Sequence, residues 1–131
     1  MPANLPTIIA ICLGASAGAL SRWALGLWLN APGAFLPWGT LAANLIGGYL
    51  IGVIVTLIDQ QPLLHPAWRL FWITGLLGAL TTFSSFSAEV VEMLMLGRWV
   101  QAATTALAHL AGSLLLTWAG IRTVLLLAVR A

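Results

Sequence analysis

Gly75-Leu-Leu-Gly-Ala-Leu-Thr-Thr-Phe-Ser-Ser-Phe-Ser-Ala-Glu89 is the stretch that decides how this chain is read. It lies inside an apolar segment long enough to cross a bilayer, yet Thr81 to Ser87 carries five hydroxyls and two phenylalanines, and Glu89 follows. Hydrocarbon offers such groups no hydrogen bonds, so they must face protein or water. Gly75 and Gly78, just upstream, suit an interrupted helix whose freed backbone groups turn toward a ligand. The stretch reads as the working part of a membrane protein that passes something small and polar.

The surrounding composition agrees. Of 131 residues, 61% are apolar and 6% charged, against about 25% charged in a water-soluble domain. The cations are Arg22, Arg69, Arg98, Arg122 and Arg130; the anions are Asp59, Glu89 and Glu92. A net charge of +2, spread along the chain, gives no patch that could follow a phosphate backbone, which excludes nucleic acid. Cys12 is the single cysteine, and His65 and His109 lie far apart with no carboxylate pair to complete a metal site. Leu5–Leu13 followed by Ala15-Ser-Ala17 imitates a cleaved leader. Met1-Pro-Ala-Asn4 lacks the required positive charge, however, and the apolar run continues to Leu29. It reads as a retained first span.

A spanning helix needs about 20 mostly apolar residues. Segments 5–29, 38–58, 68–96 and 100–129 meet that length, so the chain reads as an all-α integral membrane protein, one membrane domain over residues 1–131. Pro and Gly punctuate the links, and Trp28, Trp38, Trp68 and Trp99 fall at the span ends where interfacial aromatics belong. With four spans, both termini share a side with the second loop. Arg69, Arg122 and Arg130 on that side against Arg98 on the other give a weak cytoplasmic bias, compatible with insertion in both orientations. Gly14/Gly18 and Gly48/Gly52 form small-xxx-small pairs, which serve either packing within a subunit or a subunit interface. A four-helix unit has little room for a wet path inside, so permeation points to a surface shared by two copies.

The polar residues within the spans supply candidates. Arg22 sits deep in the first span, where a charge costs about 2.5–3.5 kcal/mol, and suits an anion-attracting vestibule. Thr40 and Asn44, four apart, share a helix face, and Asn44 offers an uncharged amide donor. Phe83 and Phe86 are three apart. Their positive ring edges, with the hydroxyls of Thr82, Ser84 and Ser85, could hold a small anion weakly enough to release it. A break between Gly78 and Thr81 would turn carbonyls toward a cation. Glu89 is placed to meet polar groups of a neighbouring subunit. Thr105, His109, Ser113 and Thr117 repeat every four residues, a polar stripe that lines a path or meets the third-span hydroxyls.

Gly14-x-x-x-Gly18-Ala-x-x-Arg22, Gly39-Thr-Leu-x-x-Asn44-x-x-Gly47 and Gly75-x-x-Gly78-x-x-Thr81-Thr-Phe-Ser-x-Phe86-Ser-x-Glu89, in this order, resemble the Fluc (CrcB) family of fluoride channels. The resemblance covers essentially the whole chain. It implies an antiparallel, dual-topology homodimer in the bacterial inner membrane with two fluoride pores. It also implies a structural sodium ion at the dimer centre, held by the Gly78 and Thr81 carbonyls. Phe83 and Phe86 would be the pore aromatics, Asn44 the donor amide and Arg22 the vestibule arginine. Thr82, Ser84 and Ser85 would join the fourth span in a polar track. His109 departs from the small hydroxyls usual there; it can still donate, and an imidazole titrating at about 6.5 would make conduction pH-dependent.

The function expected is passive export of fluoride from the cytoplasm, with no bond made or broken and hence no enzyme. Two other classes compete: a small proton-coupled multidrug exporter with four spans, and a non-transporting accessory subunit. The first needs a shared carboxylate within the membrane, which the first span lacks; the second needs no polar stripe.

Overall fold

The computed structural model describes residues 4–61 and 63–129, and every regular element among them is helical. Helix α1 (Leu5–Leu29) is started by Asn4, whose Oδ1 accepts from the Thr7 N–H at 3.1 Å. Pro6 occupies the first turn, where a missing N–H costs nothing. The Asn30 side chain then accepts from the Gly39 N–H at 2.7 Å, so one residue closes α1 and anchors the start of α2 (Trp38–Asp59). The third span is composite. Helix α3 (Pro66–Arg69) leads into a π-helical stretch (Leu70–Leu77) and then α4 (Gly78–Leu80); the chain breaks and resumes as α5 (Phe83–Met95). Gly97, at φ 71°, supplies the left-handed turn into α6 (Trp99–Ala128).

Four helical segments, Leu5–Leu29, Trp38–Asp59, Pro66–Met95 and Trp99–Ala128, are long and apolar enough to cross a membrane. The chain is a multi-pass helical membrane protein. Its surface departs from that of a soluble fold: Leu13, Leu20, Trp23, Leu114 and Trp118 face outward, while Thr40, Thr105 and His109 are buried alongside an apolar core that includes Ala43, Leu77 and Leu80. Outward apolar side chains suit lipid, and the buried polar ones must find partners inside.

Packing falls on α1 against the π-helical stretch and on α2 against α6. Both contacts are backbone to backbone. A methyl group built on Gly18 would lie 2.1 Å from the Leu76 carbonyl oxygen, and one on Gly52 would lie 2.2 Å from that of Thr117. Lipid tails give helices no hydrophobic reason to associate, so such close approach is what dispersion forces require. The alternatives left open by the small-residue pairs resolve here: Gly14/Gly18 and Gly48/Gly52 pack within one chain. Arg122 lies inside α6 with its guanidinium 5.8 Å from the Trp118 ring centre. Arg130, which entered the charge balance, lies outside the described residues.

Candidate functional site at the broken third span

The expected interruption is present, slightly downstream of Gly78. α4 ends at Leu80; Thr81 (φ −79°, ψ 154°) and Thr82 (φ −150°, ψ 122°) are extended, and α5 starts at Phe83. Thr82 Oγ1 caps α5 by accepting from the Ser85 N–H at 3.1 Å. Across the gap, α2 presents Asn44. The Thr82 N–H donates to Asn44 Oδ1 at 2.7 Å, and Asn44 Nδ2 donates to the Thr82 carbonyl at 2.9 Å. One amide side chain therefore pins the peptides on both sides of Thr82, replacing helical bonds the break gives up.

These substitutions release carbonyls. In an unbroken helix the Gly78 carbonyl would accept from the Thr82 N–H and the Thr81 carbonyl from the Ser85 N–H. Thr82 instead donates to Asn44, and Ser85 to the Thr82 hydroxyl. The neighbouring Ala79 carbonyl accepts from Arg22 Nε at 3.0 Å, so the deep arginine of α1 is tied to the break itself. Uncharged carbonyl oxygens are the donors a hard cation such as sodium prefers, and Gly78 and Thr81 fit that chemistry.

Two open clefts flank the break. One, of about 410 Å³, is lined by Arg22, Thr40, Thr82, Ser85 and Glu89. The other, of about 440 Å³, is lined by Asn44, Gly78, Thr81, Thr82, Phe83, Phe86, His109 and Ser113. Thr82 belongs to both. Glu89 Oε1 accepts from Thr40 Oγ1 at 2.6 Å, a partner within the same chain. Phe83 and Phe86 lie 5.5 Å apart between ring centres with their planes at 60°, and Phe86 in turn lies 4.7 Å from the His109 ring. Phe83 is 79% exposed, while its ring still borders the second cleft. Ser84 is exposed, its Oγ 3.3 Å from Thr82 Oγ1.

The fourth-span stripe divides. His109 and Ser113 reach the second cleft. Thr117 Oγ1 donates to the Gly48 and Ser113 carbonyls, both at 2.9 Å, and serves the α2–α6 contact. Thr105 is fully buried against Met93 Sδ at 3.5 Å. Sequence spacing placed all four on one face but could not say which neighbour each would meet. Missing from the sequence reading altogether is the direct contact between Asn44 Nδ2 and His109 Nδ1, 3.0 Å apart.

A small helical protein with four bilayer-length spans, a break in the third and two clefts beside that break belongs to the class of membrane proteins with a broken spanning helix, an arrangement that exposes backbone groups only where protein or water can meet them. Comparison with known proteins places it further. The model of the family described as CrcB-like protein, Camphor Resistance (CrcB), matches residues 9–121, and the chain belongs to that family. A protein of Variovorax paradoxus, named fluoride-specific ion channel FluC, is 64% identical over 121 residues, covering 92% of this chain and 96% of the relative. Relatives of the same name from Albidiferax ferrireducens (66% identical over 117 residues, 89% of each chain) and Paracidovorax citrulli (59% over 121 residues, 92% of this chain and 95% of the relative) are similar throughout.

Proposed function

We propose that this protein is a fluoride-specific ion channel of the bacterial inner membrane, carrying fluoride out of the cytoplasm by passive electrodiffusion. The observation that carries the reading is the pair of clefts meeting at Thr82. One has a guanidinium at its wall and the other has aromatic rings and uncharged donors. The first attracts an anion; the second replaces its hydration shell with ring edges and N–H or O–H groups that do not hold it too tightly. Asn44, Thr40, Thr82, Ser84, Ser85, Phe83, Phe86, His109, Ser113 and Arg22 form this path, with Glu89 at its vestibule end. High identity to proteins named fluoride-specific channels supports fluoride as the ion. The chemistry is transfer between compartments, not catalysis.

Purified protein in liposomes loaded with potassium fluoride, with valinomycin to balance charge, should release fluoride and retain chloride. Vesicles that stay sealed to fluoride would sink the proposal.

The working unit is an antiparallel homodimer with two pores. Supporting this, Ser84 and Gly78 are exposed beside the break, so a hydroxyl and backbone groups without helical donors lie on the outer surface, where a second copy would cover them better than lipid. A sodium ion at the dimer centre would be held by the Gly78 and Thr81 carbonyls, whose helical donors are diverted elsewhere, and would join the broken spans of the two copies. Native mass spectrometry should find twice the 13.8 kDa chain mass with sodium retained. A monomeric mass, or a dimer free of sodium, would count against these parts. A carboxy-terminal tag should be accessible from both faces of the membrane; access from one face alone would exclude dual topology.

A further inference from the structure

Arg122 is a charge within a span that the permeation path leaves unused. It is exposed on α6, and its guanidinium carbon lies 5.8 Å from the ring centre of Trp118, itself 62% exposed. Among the described residues Arg22 alone donates a guanidinium hydrogen bond inside the chain, so the N–H fork of Arg122 has no acceptor of its own there. The indole face attracts the cation, but the hydrogens at the edge of the fork still need oxygen.

Helix length fixes the depth. With 30 residues, α6 is about 45 Å long, against about 40–45 Å for a bilayer with its headgroups and about 30 Å for the hydrocarbon alone. Arg122 precedes Ala128, the last residue of α6, by about 9 Å along the axis. The packing of α2 agrees. Gly52 seats on Thr117 and Ile121, and Gly120 on Tyr49 and Val53, which puts Arg122 roughly level with Ile54, before α2 ends at Asp59. Both helices place it at the boundary of hydrocarbon and headgroups, on the face of the second loop.

Direction fixes what it can meet. Helical side chains lean toward their own N-terminus, and that of α6 lies at the opposite face. Arg122 therefore leans into the bilayer, toward Trp118 one turn deeper, and not out into water. Arg69 is set the other way, because its span begins at Pro66 on this face and the lean carries it outward. A guanidinium kept at the hydrocarbon boundary is costly unless an anion comes to it. No carboxylate competes: Asp59 closes α2 nearer the water, and Glu89 and Glu92 lie on α5 in the other half of the bilayer. The planar fork matches phosphate oxygens through two parallel hydrogen bonds, and lipid headgroups carry phosphate at that depth.

We infer that Arg122 and Trp118 form a docking site for the phosphate of an anionic phospholipid in the leaflet on the second-loop face. The lipid brings the acceptors and the negative charge, and the indole holds the guanidinium where the headgroup layer begins.

The test is native mass spectrometry from neutral detergent micelles holding equal amounts of phosphatidylglycerol and phosphatidylcholine with matched chains. The parent should retain phosphatidylglycerol over phosphatidylcholine by about fivefold or more. Arg122→Gln should bring that ratio to within about twofold of one, while Arg69→Gln, which removes the same charge where the side chain leans toward water, should leave it in place. A parent without preference overturns the site, and equal losses from both variants show diffuse attraction instead. Inorganic phosphate in tenfold excess should not displace the lipid; if it does, the site takes a free anion and the inference fails. It fails too if Arg122→Gln lowers the oligomeric mass, since the face is then a contact between copies.

Discussion

Replacing Phe86 by isoleucine is expected to cut fluoride efflux by roughly a hundredfold, while the folded protein elutes unchanged on size exclusion. The centre of the Phe86 ring is 5.5 Å from that of Phe83 and 4.7 Å from that of the His109 imidazole, and the residue lines the cleft. An isoleucine fills similar volume, so little cavity is left and stability should change by less than about 1.5 kcal/mol. What it removes is the ring quadrupole, the feature that lets an apolar side chain attract an anion through its hydrogens. Interactions of this kind contribute about 1–2 kcal/mol when desolvated. Loss of the edge together with the support it gives His109 would exceed about 2.8 kcal/mol, which is a hundredfold. Fluoride efflux from liposomes at matched protein content measures it; a Phe86→Ile variant that conducts like the parent would remove the aromatic rim from the mechanism.

The second large effect concerns the fold. Asn44→Leu keeps the size of the side chain and removes every hydrogen bond it makes. The Thr82 N–H and carbonyl would both be left without the partners they have now, and His109 Nδ1 would lose its donor. Each buried group left unsatisfied costs about 1–3 kcal/mol, and the Thr82 peptide groups, part-buried beside open clefts, fall toward the lower end of that range. A loss of about 3–6 kcal/mol is expected from these groups together. The midpoint of unfolding by sodium dodecyl sulfate in mixed micelles reads it. Ser113→Ala, a change at the cleft wall with no such role, should leave that midpoint in place; equal midpoints for both variants would show that the Asn44 clamp contributes nothing.

Much of this architecture can be read from the chain because bilayer thickness imposes length. Expected spans 5–29, 38–58, 68–96 and 100–129 compare with helical segments Leu5–Leu29, Trp38–Asp59, Pro66–Met95 and Trp99–Ala128. Pro6, Pro66 and Gly97 mark their ends by local geometry that needs no partner. The break was legible too, from Gly75 and Gly78 standing just ahead of the hydroxyl-rich stretch, although it falls at Thr81 and Thr82 and the serines beyond it are helical. The π-helical run Leu70–Leu77 was not legible. Its residues are ordinary helix formers, and nothing in their order announces wider winding. Nor could spacing foresee that Arg22 ties to the Ala79 carbonyl or Asn44 to His109, contacts 57 and 65 residues apart in sequence. Such pairings follow from how helices dock, and here docking is set by glycines meeting carbonyls across α1 and the third span and across α2 and α6. The four-residue rhythm of Thr105, His109, Ser113 and Thr117 correctly gave a shared face but not the divergent fates of its members.

The hold that Asn44 keeps on both peptides beside Thr82 has a thermal corollary. The backbone is already bent and fastened before any ion arrives, so no segment has to melt and refreeze for each crossing. Warming the membrane should then quicken traffic about as gently as it quickens salt moving through water, the cost being shed hydration and not a rearranging polypeptide.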